Sequence, residues 1–501
     1  MFQKIQYLLE IQLFLLKILN NIIIKNFSFV KKVFYFFLFF FIFSYFYSIY
    51  SSDYNFIFRL ILIPFFFLLT LVFINYSKMF LKNTKKILRS NVLYFIIFIG
   101  ILIFFFLKLS KFYFDNYELM DLGINLNKIW RLNQLDLIGV LKRVCFESNF
   151  QPIILINIIL FKIFKQFELI LLFQTIILLS SAYIIYLIGK EINLKKFYII
   201  VSIFIFIWHP FLLFNDLLGY VPDSLIIFFS FLAFLFYEKN KLFLFLLSIF
   251  LISLSGHVYF LTSAFFGLFF YFDKKNKIGL IIFALFLALF LIVLLQLENQ
   301  SISPPSTNIV GAYGVIIKGS VKEIFHETIN FKKIIYFFYI FCPLFLFYLF
   351  YRNLKLFLPI IILIPEFFKS FLSTTYLHYS LDGHYTAMYI PVIIYIFLKI
   401  ILFCKIKIKL SFSSILLIIF MNISHGASPL AINFWSKSSN EAFNFKNYYK
   451  SKFSKSDNEL IFNFFRDLEN FNIQISNNSF SKSFLKAKKI TYFSNKGLSV
   501  S

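Results

Sequence analysis

The sequence predicts an all-α polytopic membrane protein followed by a small C-terminal extracytoplasmic α/β domain. Three observations carry this. Of 501 residues, 60% are hydrophobic and only 14% are charged. Apolar runs of spanning length recur along the chain, separated by short lysine clusters. From residue 436 onward Ser, Asn and Lys dominate and the apolar runs shorten. A water-soluble domain lacks the polar cover for so much apolar surface, whereas lipid solvates the outer faces of spanning helices directly.

The net charge of +26 raises nucleic acid as a partner. The lysines, however, sit in small clusters between apolar runs, which is the pattern of cytoplasmic loops, so nucleic-acid binding is set aside. The 81 Phe accompany abundant Ile, Lys, Asn and Tyr, all with A/T-rich codons, and read as genomic bias rather than an aromatic binding surface. Cys145, Cys342 and Cys404 lack the close spacing of a zinc site or a disulfide framework. The first residues show no short apolar core with a small-residue cleavage site, so no removable signal peptide is expected.

Spans need roughly 20 mainly apolar residues, and about 13 are expected on that measure. Residues 1–25 carry Lys4, Glu10 and Lys17 and read as an interfacial helix, with spans near 33–50 and 56–75. This N-terminal extension, 1–90, precedes a membrane core over 91–424. The core spans are expected near 91–109, 168–188, 197–214, 222–237, 241–255, 257–272, 278–296, 334–351, 354–372, 386–403 and 410–424. Residues 152–164, opened by Pro152, are too short to cross and read as an interfacial or re-entrant helix.

Orientation follows from the clusters Lys190/Lys195/Lys196, Lys239/Lys241, Lys274/Lys275/Lys277, Arg352/Lys355 and Lys405/Lys407/Lys409. All fall on one side of the count, which makes that side cytoplasmic. The N-terminus is then cytoplasmic, and the loops 110–150, 298–333 and 373–385 lie outside with the domain 425–501. In that domain, Ser456 and Glu459 have capping-box spacing for a helix at 457–470. Ile473 and Ile475 alternate as a strand, 479–487 reads as helix, and 490–493 as a second strand.

Two outer loops carry chemistry. The first contains Asp121-Leu122-Gly123-Ile124, Trp130 and Arg131. A carboxylate there is a candidate general base, or a ligand for a divalent cation that holds a phosphate. The third contains Tyr376, His378, Asp382, His384 and Tyr385, which offer phosphate contacts, a proton carrier or metal ligands. Other polar residues at membrane depth or its edge are His209, Asn215, Asp216, Asp223, His257, Glu366 and Lys369. Ionisable groups at that depth are functional candidates.

These residues resemble the bacterial membrane proteins grouped as domain of unknown function 2079, within the GT-C superfamily of membrane glycosyltransferases. The resemblance rests on Asp121-Leu122-Gly123-Ile124 with Trp130, Phe150-Gln151-Pro152, His384-Tyr385-Thr386-Ala387 with Pro391, and Ser428-Pro429-Leu430. It covers about 91–495 and departs at Leu126, Asn149 and Val221, where the family carries Asp, His and His. It implies a GT-C-like enzyme of the bacterial inner membrane that moves a sugar from a polyprenyl-phosphate carrier to an acceptor on the outer face. Asp121 matches the acidic position, as general base or acceptor-orienting group. His378, His384, Tyr385 and Arg131 would face the departing lipid phosphate. The alternatives are a non-catalytic assembly or scaffold protein and a transporter or flippase of a lipid-linked precursor.

Overall fold

A computed structural model of the chain describes residues 90–113, 120–147, 150–217, 220–300, 331–373, 378, 386–405, 407–425, 431, 474–476 and 497–499. The described core is helical: α1 (Ser90–Tyr113), α2 (Met120–Leu132), α3 (Leu137–Lys142) running into a π-helical turn, α4 (Ile154–Phe164), α5 (Phe167–Glu191), α6 (Lys196–Ile207) and α7 (Pro210–Leu217). A 3-10 turn at Pro222–Leu225 leads into α8 (Ile226–Glu238), followed by α9 (Leu242–Ser253), α10 (Tyr259–Lys274), α11 (Ile278–Gln300) and α12 (Phe331–Phe350). A 3-10 stretch, Leu354–Leu363, leads into α13 (Ile364–Leu372), then α14 (Tyr389–Phe403) and α15 (Lys407–His425).

Two of the hairpin turns have the same chemistry. α5 is followed at Asn193 and α8 at Asn240 by a left-handed residue (φ 59° and 53°). Asn tolerates that conformation because its short polar side chain bonds locally. The next amides, of Leu194 and Lys241, reach back to the carbonyls of Gly189 (2.8 Å) and Phe236 (2.9 Å), closing the helix ends. Lys190 and Lys239 sit where a cation favours the helix dipole.

The lysine-bearing ends gather together. Lys274 donates to Asn240 (3.2 Å), Lys399 pairs with Glu238 (2.7 Å), Tyr237 donates to Asp273, and Tyr351 stacks near Phe403.

Helices Phe167–Glu191 and Ile278–Asn299 are each long and apolar enough to cross a membrane. On α11 only 22% of the apolar window is buried, with Ile281 and Leu295 each 65% exposed. In water this face would be a large exposed apolar patch; it suits contact with lipid.

Several expected spans are broken, and proline is the common cause. The expected span 197–214 bends by 48° between α6 and α7, where Pro210 cannot donate to the helix ladder. The expected helix 354–372 is 3-10 for ten residues and α for nine, with Pro359 and Pro365 removing two donors. The expected span 222–237 begins as a four-residue 3-10 turn at Pro222. α9, at 12 residues, is about 18 Å long, short of a core of about 30 Å. The segment 120–147, expected as part of a polar loop, holds more order than its polarity implied. Leu126, Ile129 and Leu132 of α2 recur every three residues and pack into an apolar cluster with Val144, Ile154 and Ile170. α4 forms as expected and is too short to cross.

In the tail, Gln474–Ser476 pairs antiparallel with Gly497–Ser499. The helices expected at 457–470 and 479–487, the strand at 490–493, and everything expected of 1–89 lie outside the described residues.

Candidate functional site

A largely buried polar cluster is centred on Asp223. Val221 is extended (φ −132°, ψ 114°), as a residue before proline prefers, and Pro222 starts the tight turn that presents Asp223. Ser224 closes the turn by donating to the Val221 carbonyl (2.7 Å). The two carboxylate oxygens are held separately: Gln151 Nε2 donates to Oδ1 and the Tyr259 hydroxyl to Oδ2, each at 3.1 Å. Gln151 comes from the connection into α4, and Tyr259 opens α10.

Two lysines complete the group. Lys128 of α2 reaches Gln151 Oε1 at 3.4 Å and feels the Asp223 charge. Burial lowers its ammonium to about 8, and the Asp223 carboxylate partly offsets that. Lys369 of α13 lies within electrostatic range of both Asp223 and His257, and it pairs with Glu366 at 3.4 Å. Glu366 is buried, and its second oxygen, Oε1, has no hydrogen-bond partner among the described residues. The cluster thus offers one oriented carboxylate as a proton acceptor and two ammonium groups for an anion.

Lys128 titrates closer to neutrality than an ordinary lysine. Because its folded value is depressed, the charged form is the penalised one. The penalty is present below about pH 8 and is relieved as pH rises from there towards 10.5. Acylation of Lys128 is expected to reach half its limiting rate near pH 8, read by mass spectrometry of the labelled peptide. Asp223→Asn moves that midpoint lower, because it removes the charge that favours the ammonium. A midpoint matching that of exposed lysines would contradict the geometry.

The residues singled out from sequence divide as follows. Asp121 lies in the first turn of α2, seven residues before Lys128. Arg131 follows in the last turn, half-buried, but the residue of α2 brought to Asp223 is Lys128. His378 shares a 2.7 Å hydrogen bond with Ser373, the residue that ends α13. His384 and Tyr385 lie outside the described residues. Leu126, where the family carries an acid, is fully buried in the apolar cluster. Lys128, Gln151 and Tyr259 were missed. Helical spacing from Asp121 would have found Lys128 had 120–132 been read as a helix.

A second polar group lies deeper on the same side of the bundle. Lys108 of α1 and Asp216 of α7 form an ion pair at 2.6 Å, with side chains 0% and 1% exposed. Lys108 also donates to Thr175 Oγ1 (3.0 Å) and the Leu171 carbonyl (3.4 Å) of α5, so all three ammonium protons have acceptors.

No protein-family model, curated protein or solved structure matches the chain.

Proposed function

We propose that the chain is a multi-pass protein of a bacterial inner membrane, with the lysine-rich end in the cytoplasm and the Asp223 cluster on the outer side. In this reading about 13 helices span the bilayer, two of them within 1–90, and 425–501 forms an outer α/β domain. At the Asp223 cluster it transfers a sugar from a polyprenyl-phosphate carrier to an acceptor hydroxyl. The observation that carries this is the Asp223 carboxylate itself, held by Gln151 and Tyr259 and flanked by Lys128 and Lys369.

Each part has a task. Asp223 takes the proton of the acceptor hydroxyl while that oxygen bonds to the anomeric carbon. The bond from that carbon to the carrier phosphate breaks, and its electron pair leaves with the phosphate. The growing negative charge faces Lys128 and Lys369. In this proposal Asp121 orients the acceptor, and Arg131, His378, His384 and Tyr385 are assigned as contacts of the lipid phosphate, as the GT-C resemblance implies. The resemblance to the GT-C superfamily through Asp121-Leu122-Gly123-Ile124 supports the same class.

The test compares lipid-linked products in membranes that carry the parent chain, Asp223→Asn or Asp121→Asn. Loss of the base is expected to lower transfer by about 10²–10⁴-fold with insertion unchanged. Full transfer by Asp223→Asn would remove that residue from the chemistry. A second reading, movement of the lipid-linked precursor across the bilayer, draws on the bend between α6 and α7 beside the buried Lys108–Asp216 pair. Transfer of the precursor between leaflets with no change in its sugar composition would favour it.

A further inference from the structure

Asn215 and Asp216, near the end of α7, and Tyr220 to Asp223 are the two described parts of a strap between the two polar groups. The strap is tied at many points. Asp216 is fixed by Lys108 and Thr175. The Asn215 side chain donates to the Phe211 carbonyl (2.8 Å) and to Thr386 Oγ1 (3.1 Å). The Tyr220 carbonyl accepts from Asn125 of α2 (3.2 Å), and its hydroxyl bonds to Asn157 of α4.

One side chain ties both flanks at once. Gln174 of α5 donates from Nε2 to the Asn215 carbonyl at 3.2 Å and accepts at Oε1 from the Val221 amide at 2.9 Å. It is fully buried in a long apolar helix. A buried amide is costly unless its groups are bonded, and an aliphatic residue would fill that volume without the cost. What the amide supplies is the spacing between two backbone groups six residues apart. From Val221 the constraint passes to Asp223 through Pro222, whose ring fixes φ and leaves little slack.

We propose that Gln174 is a positioning residue that sets the place of the Asp223 carboxylate against Gln151 and Tyr259, with the Lys108–Asp216 pair as the anchor at the far end of the strap. The proposal rests on the transferase reading only for what the positioned carboxylate then does. If Gln174 is removed, the strap relaxes, the two donors to Asp223 lose alignment, and its charged form loses support.

The experiment uses the full chain in detergent and reads the pH profile of Asp223 modification by dicyclohexylcarbodiimide, followed by mass spectrometry. This probe reacts with protonated carboxyl groups, so it reports the titration of that group independently of any substrate. Gln174→Met is expected to move the Asp223 midpoint upward by about half a pH unit or more. Ser181→Ala, a buried change on the same helix, leaves it in place. A Gln174→Met profile superimposed on the parent overturns the proposal. Should Gln174→Met fail to fold, the Lys108→Met/Asp216→Leu double variant releases the other end of the strap and is read by the same two outcomes. A shifted profile together with full sugar transfer by Asp223→Asn would keep the positioning role and reject the transferase.

Discussion

Lys108→Met is expected to destabilise the chain by about 3–5 kcal/mol, because it leaves the Asp216 carboxylate buried without its cation. The parent site satisfies the ammonium completely, with Asp216, Thr175 and the Leu171 carbonyl as its three acceptors. Methionine keeps most of the volume and none of the charge. The remaining carboxylate retains only the Thr175 hydroxyl, so it takes up a proton or draws in water. The double variant Lys108→Met/Asp216→Leu removes both charges and is expected to return close to the parent, since apolar replacements of a buried pair are often neutral. Unfolding in mixed detergent micelles measures both. Equal losses in the single and double variants would mean that the site resists any change of shape, and the electrostatic account would fail.

Gly267→Val is the second large effect. α10 and α11 form a hairpin whose backbones touch through Gly267 and Gly279. A Cβ at 267 would lie 2.7 Å from the Phe283 amide nitrogen and 2.8 Å from the Gly279 carbonyl. One at 279 would lie 2.5 Å from the Tyr271 nitrogen and 2.6 Å from the Gly267 carbonyl. Backbone atoms cannot swing aside as side chains do, so the helices must part along their length. The expected cost is about 3 kcal/mol, the upper part of the range for overpacking. Helices in lipid depend on such small residues for close approach. Once the helices have parted, Gly279→Val adds little, so the two losses are expected to fall well short of their sum. Full additivity would place the glycines in separate environments.

Most of the helical order was legible as hydrophobic run length. Ser90–Tyr113, Phe167–Glu191 and Ile278–Gln300 follow the apolar stretches closely. What hydropathy hid was where a run breaks. Trp208-His209-Pro210 and the Pro359/Pro365 pair leave composition nearly unchanged while removing ladder donors, so one apolar run became two elements. Asp223, His257, Glu366 and Lys369 stood out because charge is rare in such a chain. Their association did not, because it depends on three elements meeting: the turn at Pro222, the start of α10 and α13. Lys128 and Gln151 looked like ordinary loop residues. Only the helical phase of α2 and the entry into α4 turn them towards Asp223.

The proposed site requires the Asp223 end and the lysine-rich end to face opposite sides of a membrane. Single cysteines report this in a chain whose Cys145, Cys342 and Cys404 are replaced by Ser: Ile138→Cys in α3, at a position 75% exposed and within the loop 110–150 expected outside, and Lys241→Cys in the exposed turn after α8. A membrane-impermeant maleimide applied to intact cells should label position 138 at once and position 241 only after permeabilisation. Labelling of 241 but not 138 in intact cells would put Asp223 in the cytoplasm and contradict the account.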